Sequence, residues 1–145
     1  MAKRILLVED NEDVALALTV RLAGAGFEVR SMDTATGGIK ALDVFEPDLV
    51  LLDLLVPEGG GFSVLKALRK APHTRRVPVI VMTGLEDRDY EAKIRNLGVN
   101  ALLYKPCDPE ALLAIAREML DLVPKIDDRI LVKTRRRLTR AKVEP

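Results

Sequence analysis

Tryptophan is absent from this chain, and three Phe and two Tyr supply all of its aromatic rings, 3% of 145 residues. Hydrophobic residues still make up 48% of the composition, so the core must be aliphatic. A single cysteine excludes an internal disulfide framework and fits a reducing cytoplasm. No uncharged apolar stretch reaches the roughly 18 residues that a membrane span needs. The opening Met1-Ala2-Lys3-Arg4-Ile5 enters a short strand-like run and then acids, without the apolar stretch and cleavage site of a signal peptide. The sequence predicts a cytoplasmic location and no membrane partner.

Charge is plentiful but uneven. The net charge is +1, yet residues 1–120 carry 15 Lys or Arg against 18 Asp or Glu, while residues 121–145 carry 8 against 4. A mildly acidic body is followed by a basic tail, which predicts one domain over 3–121 and a basic extension or linker over 122–145. In the tail Ile126, Ile130, Thr134, Leu138 and Ala141 fall near helical spacing among the basic residues. That spacing predicts a basic helix. A solvated linker is the plainer role for it, and contact with nucleic acid or an acidic partner is the functional one.

Apolar runs of four to six residues alternate with segments of helical period. Strands are predicted at about 4–8, 28–32, 48–53, 77–82 and 101–104, and helices at about 12–25, 35–45, 61–70, 87–97 and 108–121. Gly24 and Gly26 stop the first helix, Thr34 or Thr36 caps the second, and Asp108-Pro109-Glu110 opens the fifth. Strand and helix alternating five times imply parallel pairing with right-handed crossovers and helices on both faces. The first, third and fourth strands are apolar almost throughout, as central strands are. Phe27-Glu28-Val29-Arg30-Ser31 alternates, as an edge strand does.

Ligands of an open parallel sheet bind beyond the carboxyl ends of its strands. Glu9, Asp10, Asp53, Thr83 and Lys105 all lie just past or at predicted strand ends, so the fold gathers them at one edge. A carboxylate that ends the buried run Leu49-Val50-Leu51-Leu52 is unfavourable unless something pairs with it. Several carboxylates together repel unless a hard cation sits among them, and Mg²⁺ suits such oxygen ligands. Asp53 is central and could act as a nucleophile toward phosphorus. Lys105 offers a point charge for phosphoryl oxygens, and Thr83 a hydroxyl. Phosphoryl transfer depends mostly on such positioning and charge neutralisation.

In order along the chain stand Leu7-Val8-Glu9-Asp10-Asn11, Asp53 after its apolar run, Pro57 with Gly61 four later, Met82-Thr83-Gly84, and Lys105-Pro106. With these elements the stretch from Lys3 to about Asp121 resembles the receiver domain of two-component response regulators. The resemblance implies a flavodoxin-like (βα)5 three-layer sandwich around a five-stranded parallel sheet. It implies Asp53 as phosphoacceptor, Glu9 and Asp10 as the acid pair that holds Mg²⁺ with Asp53, and a further Mg²⁺ contact from the Leu55 backbone carbonyl. Thr83 and Lys105 would contact the phosphate, and the Lys105-Pro106 bond would be cis. Implied partners are a histidine kinase or phosphotransfer protein as donor, and an effector or second copy on the face of the fourth helix, fifth strand and fifth helix. The chain departs from the family three residues before the lysine, where Leu102 replaces the usual Tyr or Phe and Tyr104 adjoins the lysine instead. Leu55 and Leu85, two past Asp53 and Thr83, predict shielding of a phosphoryl group from water.

Other readings are weaker. An aspartyl phosphatase usually carries a second acid two residues after its nucleophile, and here that position is Leu55. A flavodoxin-type redox carrier would need a phosphate-binding loop where Glu9-Asp10-Asn11-Glu12-Asp13 would repel phosphate. A phosphorylation-independent docking module would retain the acids only for stability. Gly59-Gly60-Gly61 lacks the Walker spacing and reads as a turn, His73 reads as a surface loop residue, and Cys107 has no metal-ligand spacing to a second Cys or His.

Overall fold

The computed structural model describes residues 2–84, 88–120, 129–133 and 138–142. Five strands, β1 (Arg4–Val8), β2 (Glu28–Met32), β3 (Leu49–Asp53), β4 (Val79–Thr83) and β5 (Ala101–Tyr104), alternate with α1 (Glu12–Gly24), α2 (Ala35–Phe45), α3 (Gly60–Lys70), α4 (Arg88–Asn96) and α5 (Pro109–Leu120). The five strands pair in parallel in the order β2-β1-β3-β4-β5. The flavodoxin-like sandwich is therefore the observed fold.

Alternation along each strand divides the core in two. Leu6, Val8, Val50, Leu52, Val79 and Val81 pack toward α2, α3 and α4, where Leu42, Leu65, Leu68 and Ile94 meet them. Ile5, Leu7, Leu49, Leu51, Ile80 and Met82 face α1 and α5, against Leu18, Leu22, Leu112 and Ile115. Every residue of β3 and β4 is buried, whereas β2 at the sheet edge is half exposed. On α1 the buried stripe is Ala15, Leu18 and Leu22, while Leu16 and Val20 face outward.

Local chemistry sets the boundaries. Asn11 caps α1 by accepting from the Val14 N–H at 3.0 Å, and Thr34 caps α2 by accepting from Gly37 N–H at 2.9 Å. After α1, Gly26 takes the left-handed φ of 100°, and Ala25 before it stays at −90°. β4 starts two residues later than the sequence predicts. Pro78 has no N–H for the ladder, and only its carbonyl takes part, accepting from Val50 N–H at 3.0 Å. Arg69, half-buried, ties three segments together by donating to the carbonyls of Arg75, Val77 and Gly98 at 3.0, 2.8 and 2.7 Å.

The predicted basic helix in the tail is overturned. Two strands stand there, β6 (Arg129–Lys133) and β7 (Leu138–Lys142). β6 runs parallel to β5, with Leu131 opposite Ala101 and Val132 opposite Leu102, and β7 returns antiparallel to β6. The reason is the open edge of β5, whose unpaired backbone groups template a further strand. The Ile130-Leu131-Val132 run, rich in β-branched residues, suits that role better than a helix. Ile126 and Thr134, which supported the helical spacing, lie outside the described residues, as does the predicted boundary at 121–122.

Candidate phosphoacceptor site

The order β2-β1-β3 means that the chain reverses its direction of winding between β1 and β3, so a crevice opens at their carboxyl ends. β1 delivers Glu9 and Asp10 there, β3 ends on Asp53, β4 ends on Thr83, and Lys105 follows β5. Carboxylate oxygens of Glu9, Asp10 and Asp53 lie within 4.8 Å of one another. Glu9 and Asp53 are buried and Asp10 is exposed, so the cluster opens to solvent on one side.

Lys105 reaches back into this cluster. Its Nζ lies 2.5 Å from Glu9 Oε1 and 3.0 Å from Asp53 Oδ2. The second oxygen of Asp53 accepts from Leu55 N–H at 2.9 Å, and the second oxygen of Glu9 accepts from Asn11 N–H at 3.2 Å. Burial raises the Glu9 carboxyl above its ordinary value, the Lys105 and Asn11 hydrogen bonds pull the other way, and the neighbouring Asp53 adds to the rise. Burial disfavours the charged Lys105, but its hydrogen bonds to Glu9 and Asp53 outweigh that effect and raise its pKa. The acids thus favour the charged lysine, and the lysine offsets part of the burial penalty on Glu9.

The surrounding backbone keeps these groups in place. Lys105 N–H donates to the Thr83 carbonyl at 2.8 Å, and the Lys105-Pro106 bond is cis, as the resemblance implies. Gly59 and Gly60 take φ of 112° and 71°, the turn that the triple glycine predicts. Gly61 is needed for a different reason. A β-carbon there would lie 2.5 Å from Leu54 Cα and 2.8 Å from the Asp53 carbonyl oxygen. The loop after Asp53 is also fastened to α2, through Ala35 N–H donating to the Pro57 carbonyl at 3.0 Å and Thr36 Oγ1 donating to the Glu58 carbonyl at 3.1 Å.

Each predicted site residue therefore comes to one edge: Glu9, Asp10 and Asp53 in the cluster, Lys105 bonded to two of them, and Thr83 buried at the end of β4. Leu55 sits in the loop beyond Asp53 and is 58% exposed. Leu85 lies outside the described residues. Outside the site, His73 is exposed with Nε2 2.8 Å from Asp43 Oδ1, and Cys107 lies in the connection to α5. Two features were not anticipated from the sequence: the close approach that demands Gly61, and the direct bond from Lys105 to Glu9.

Comparison with known proteins gives the family. The family model of the response regulator receiver domain matches residues 5–117. The chain is 34% identical over 126 residues to the DNA-binding dual master transcriptional regulator RpaA of Synechocystis, a match covering 85% of this chain and 51% of that protein. It is 34% identical over 130 residues to the response regulator PleD of Caulobacter vibrioides, covering 88% of this chain and 28% of that one. The chain thus spans about half the length, or less, of these curated relatives. Among solved structures, a CheY-like response regulator receiver domain protein from Methanospirillum hungatei superposes with a TM-score of 0.76 at 30% identity, covering 83% of this chain and 95% of that one. The chemotaxis response regulator CheY4 of Vibrio cholerae gives a TM-score of 0.77 at 22% identity, covering 83% and 100%, a likeness of fold alone. The chain belongs to the response regulator receiver family of two-component signalling.

Proposed function

We propose that this chain is a phospho-accepting switch in which residues 3–121 form the receiver and residues 122–145 an extension. A histidine kinase or a phosphotransfer protein is the donor. The transfer breaks the P–N bond of a donor phosphohistidine and forms a P–O bond to a carboxylate oxygen of Asp53. The observation that carries this reading is the convergence of three carboxylates within 4.8 Å on a lysine bonded to the central one.

Those carboxylates fit Mg²⁺, a hard cation that takes oxygen ligands and keeps several waters. Glu9, Asp10 and Asp53, with the Leu55 backbone carbonyl, would hold it, and it would supply charge neutralisation for the incoming phosphoryl group. Lys105 and Thr83 then meet the phosphoryl oxygens, Lys105 as a point charge and Thr83 as a hydroxyl donor. Asp53 is prepared for this role because its two oxygens are already oriented, one by Leu55 N–H and one by Lys105.

The product is an altered conformational balance rather than turnover of an external substrate. A partner, either an effector or a second copy of the chain, reads that balance on α4, β5 and α5. Because β6 lies along the outer edge of β5, a partner on this face meets the tail as well. A cytoplasmic location accords with the described residues, in which no helix is long and apolar enough to cross a membrane.

The test is incubation with a small phosphodonor and Mg²⁺ followed by intact mass. Wild type gains one phosphoryl group and Asp53→Asn gains none. An undiminished adduct on Asp53→Asn, or none on wild type, overturns the proposal.

A further inference from the structure

Residues 129–142 hold seven Lys or Arg and no Asp or Glu, in a chain with 23 Lys or Arg and 22 Asp or Glu overall. A run this basic is most often a solvated linker. Here the run is built into the sheet instead, because β6 pairs with β5 and β7 pairs with β6. The edge of the sheet is therefore a two-stranded antiparallel ribbon. Thr134-Arg135-Arg136-Arg137 joins its two strands.

Register sorts the cations. Arg129 stands opposite Lys142, Leu131 opposite Arg140, and Lys133 opposite Leu138. Opposed residues share a face, and successive residues alternate between faces. Arg129, Lys133, Arg140 and Lys142 therefore fall on one face, with Leu131 and Leu138, while Ile130, Val132, Thr139 and Ala141 fall on the other. Leu131 is also the register partner of Ala101, and Lys133 of Leu103, so the basic face lies on the α1 and α5 side of the sheet. All four cations of the two strands share that side. Like charges directly opposite each other are destabilising, as at Arg129 and Lys142, and a row of anions would relieve them.

We propose that the β6–β7 ribbon is a binding element for duplex DNA, which it holds by the phosphates through its basic face. Lys and Arg neutralise phosphates and release their counterions, the main source of affinity for a nucleic-acid backbone. Residues 121–145 contain no aromatic residue. The ribbon thus lacks the stacking platform that holds single-stranded bases and the aromatic anchors that favour a membrane interface. The major groove of B-form DNA, about 12 Å wide, admits a two-stranded ribbon, whereas the corresponding groove of duplex RNA is deep and narrow. Contacts made to phosphate carry little sequence information, so binding is expected to follow salt more than sequence.

The test is fluorescence anisotropy of a short mixed-sequence DNA duplex titrated with the 145-residue chain. Phosphodonor is omitted, so the outcome is separate from that at Asp53. Raising salt from about 50 to about 200 mM should weaken binding at least about a hundredfold, the loss expected for four phosphate contacts. Replacing Arg129, Lys133, Arg140 and Lys142 together by Gln should lower the salt slope by about 3–4, near one for each contact removed. Leu131→Pro keeps every charge but removes a backbone N–H from β6, and it should lose most of the affinity. Thermal midpoints check that the receiver body still folds in both variants. Single-stranded DNA, duplex RNA and poly-glutamate of matched length are the comparison ligands, and each should bind more weakly than duplex DNA. No binding of duplex DNA overturns the proposal, as does equal or tighter binding of any comparison ligand. Full affinity in Leu131→Pro also overturns it, because a loose polycation would then suffice. An unchanged salt slope in the Gln variant removes the basic face from the contact and overturns it as well.

Discussion

Lys105 Nζ bridges Glu9 Oε1 and Asp53 Oδ2 at 2.5 and 3.0 Å, holding two buried carboxylates together. Replacing Lys105 by Met leaves those acids facing each other without a cation. The expected loss is about 1–3 kcal/mol of folding stability, the penalty for stranding a buried polar group. Millimolar Mg²⁺ should restore part of it, since a cation among the acids relieves the same repulsion. Urea unfolding with Mg²⁺ and with EDTA measures both effects. No recovery with Mg²⁺ would count against a cation site in the cluster.

Gly61→Ala places a β-carbon against Leu54 Cα and the Asp53 carbonyl, backbone atoms that cannot swing away as a side-chain tip can. A loss of about 1–3 kcal/mol is expected, as for overpacked cores. Because the displaced backbone carries Asp53, phosphoryl uptake should slow as well. Gly24→Ala is the control. A β-carbon there meets nothing within 4 Å, and its effect should be small.

Arg69→Met removes donors to three carbonyls while keeping much of the aliphatic stem. A loss of about 2–3 kcal/mol is expected, since hydrogen bonds from a charged donor are among the stronger ones. These carbonyls lie around the amino ends of β4 and β5, at the far end of the sheet from Asp53. Uptake of phosphoryl by the folded fraction should therefore stay at wild-type level. Denaturant midpoints and adduct yield, measured on the same samples, separate the two effects.

Arg21 and Glu110 join α1 to α5 at the surface, with Arg21 Nη2 2.9 Å from Glu110 Oε2. The Arg21 hydrogen bond lowers the Glu110 pKa below 4.5. A lowered carboxylate favours the folded state at neutral pH. That contribution is lost as acidification passes 4.5 toward the lower folded value. NMR titration of the Glu110 carboxyl should show its midpoint move up toward 4.5 in Arg21→Gln. High salt should shrink the difference, as it does for exposed pairs.

Asp53 and Lys105 were legible because a charge that ends an apolar run is unusual enough to demand a partner, and parallel topology tells where strand ends meet. Thr34 and Gly26 were legible as helix punctuation. Pro78 was misplaced by one strand boundary, since its apolar character matches the run while its missing N–H does not. The tail was misread because Ile130, Leu138 and Ala141 satisfy a helical period, and the choice of strand depends on the unpaired edge of β5, which is absent from the local pattern. The Gly61 contact was hidden for the same reason, as it depends on how closely two backbone segments approach in space.

The Lys105–Glu9 bond joins residues 96 positions apart. It forms only once β1 and β5 stand in one sheet with β3 and β4 between them. A chain still leaving the ribosome with residue 105 unmade has its acids but not their cation. On the proposed acceptor role, copies in which β5 has not yet docked are poor phosphate acceptors, and the site becomes competent only when the strands on either side of β3 and β4 have come together.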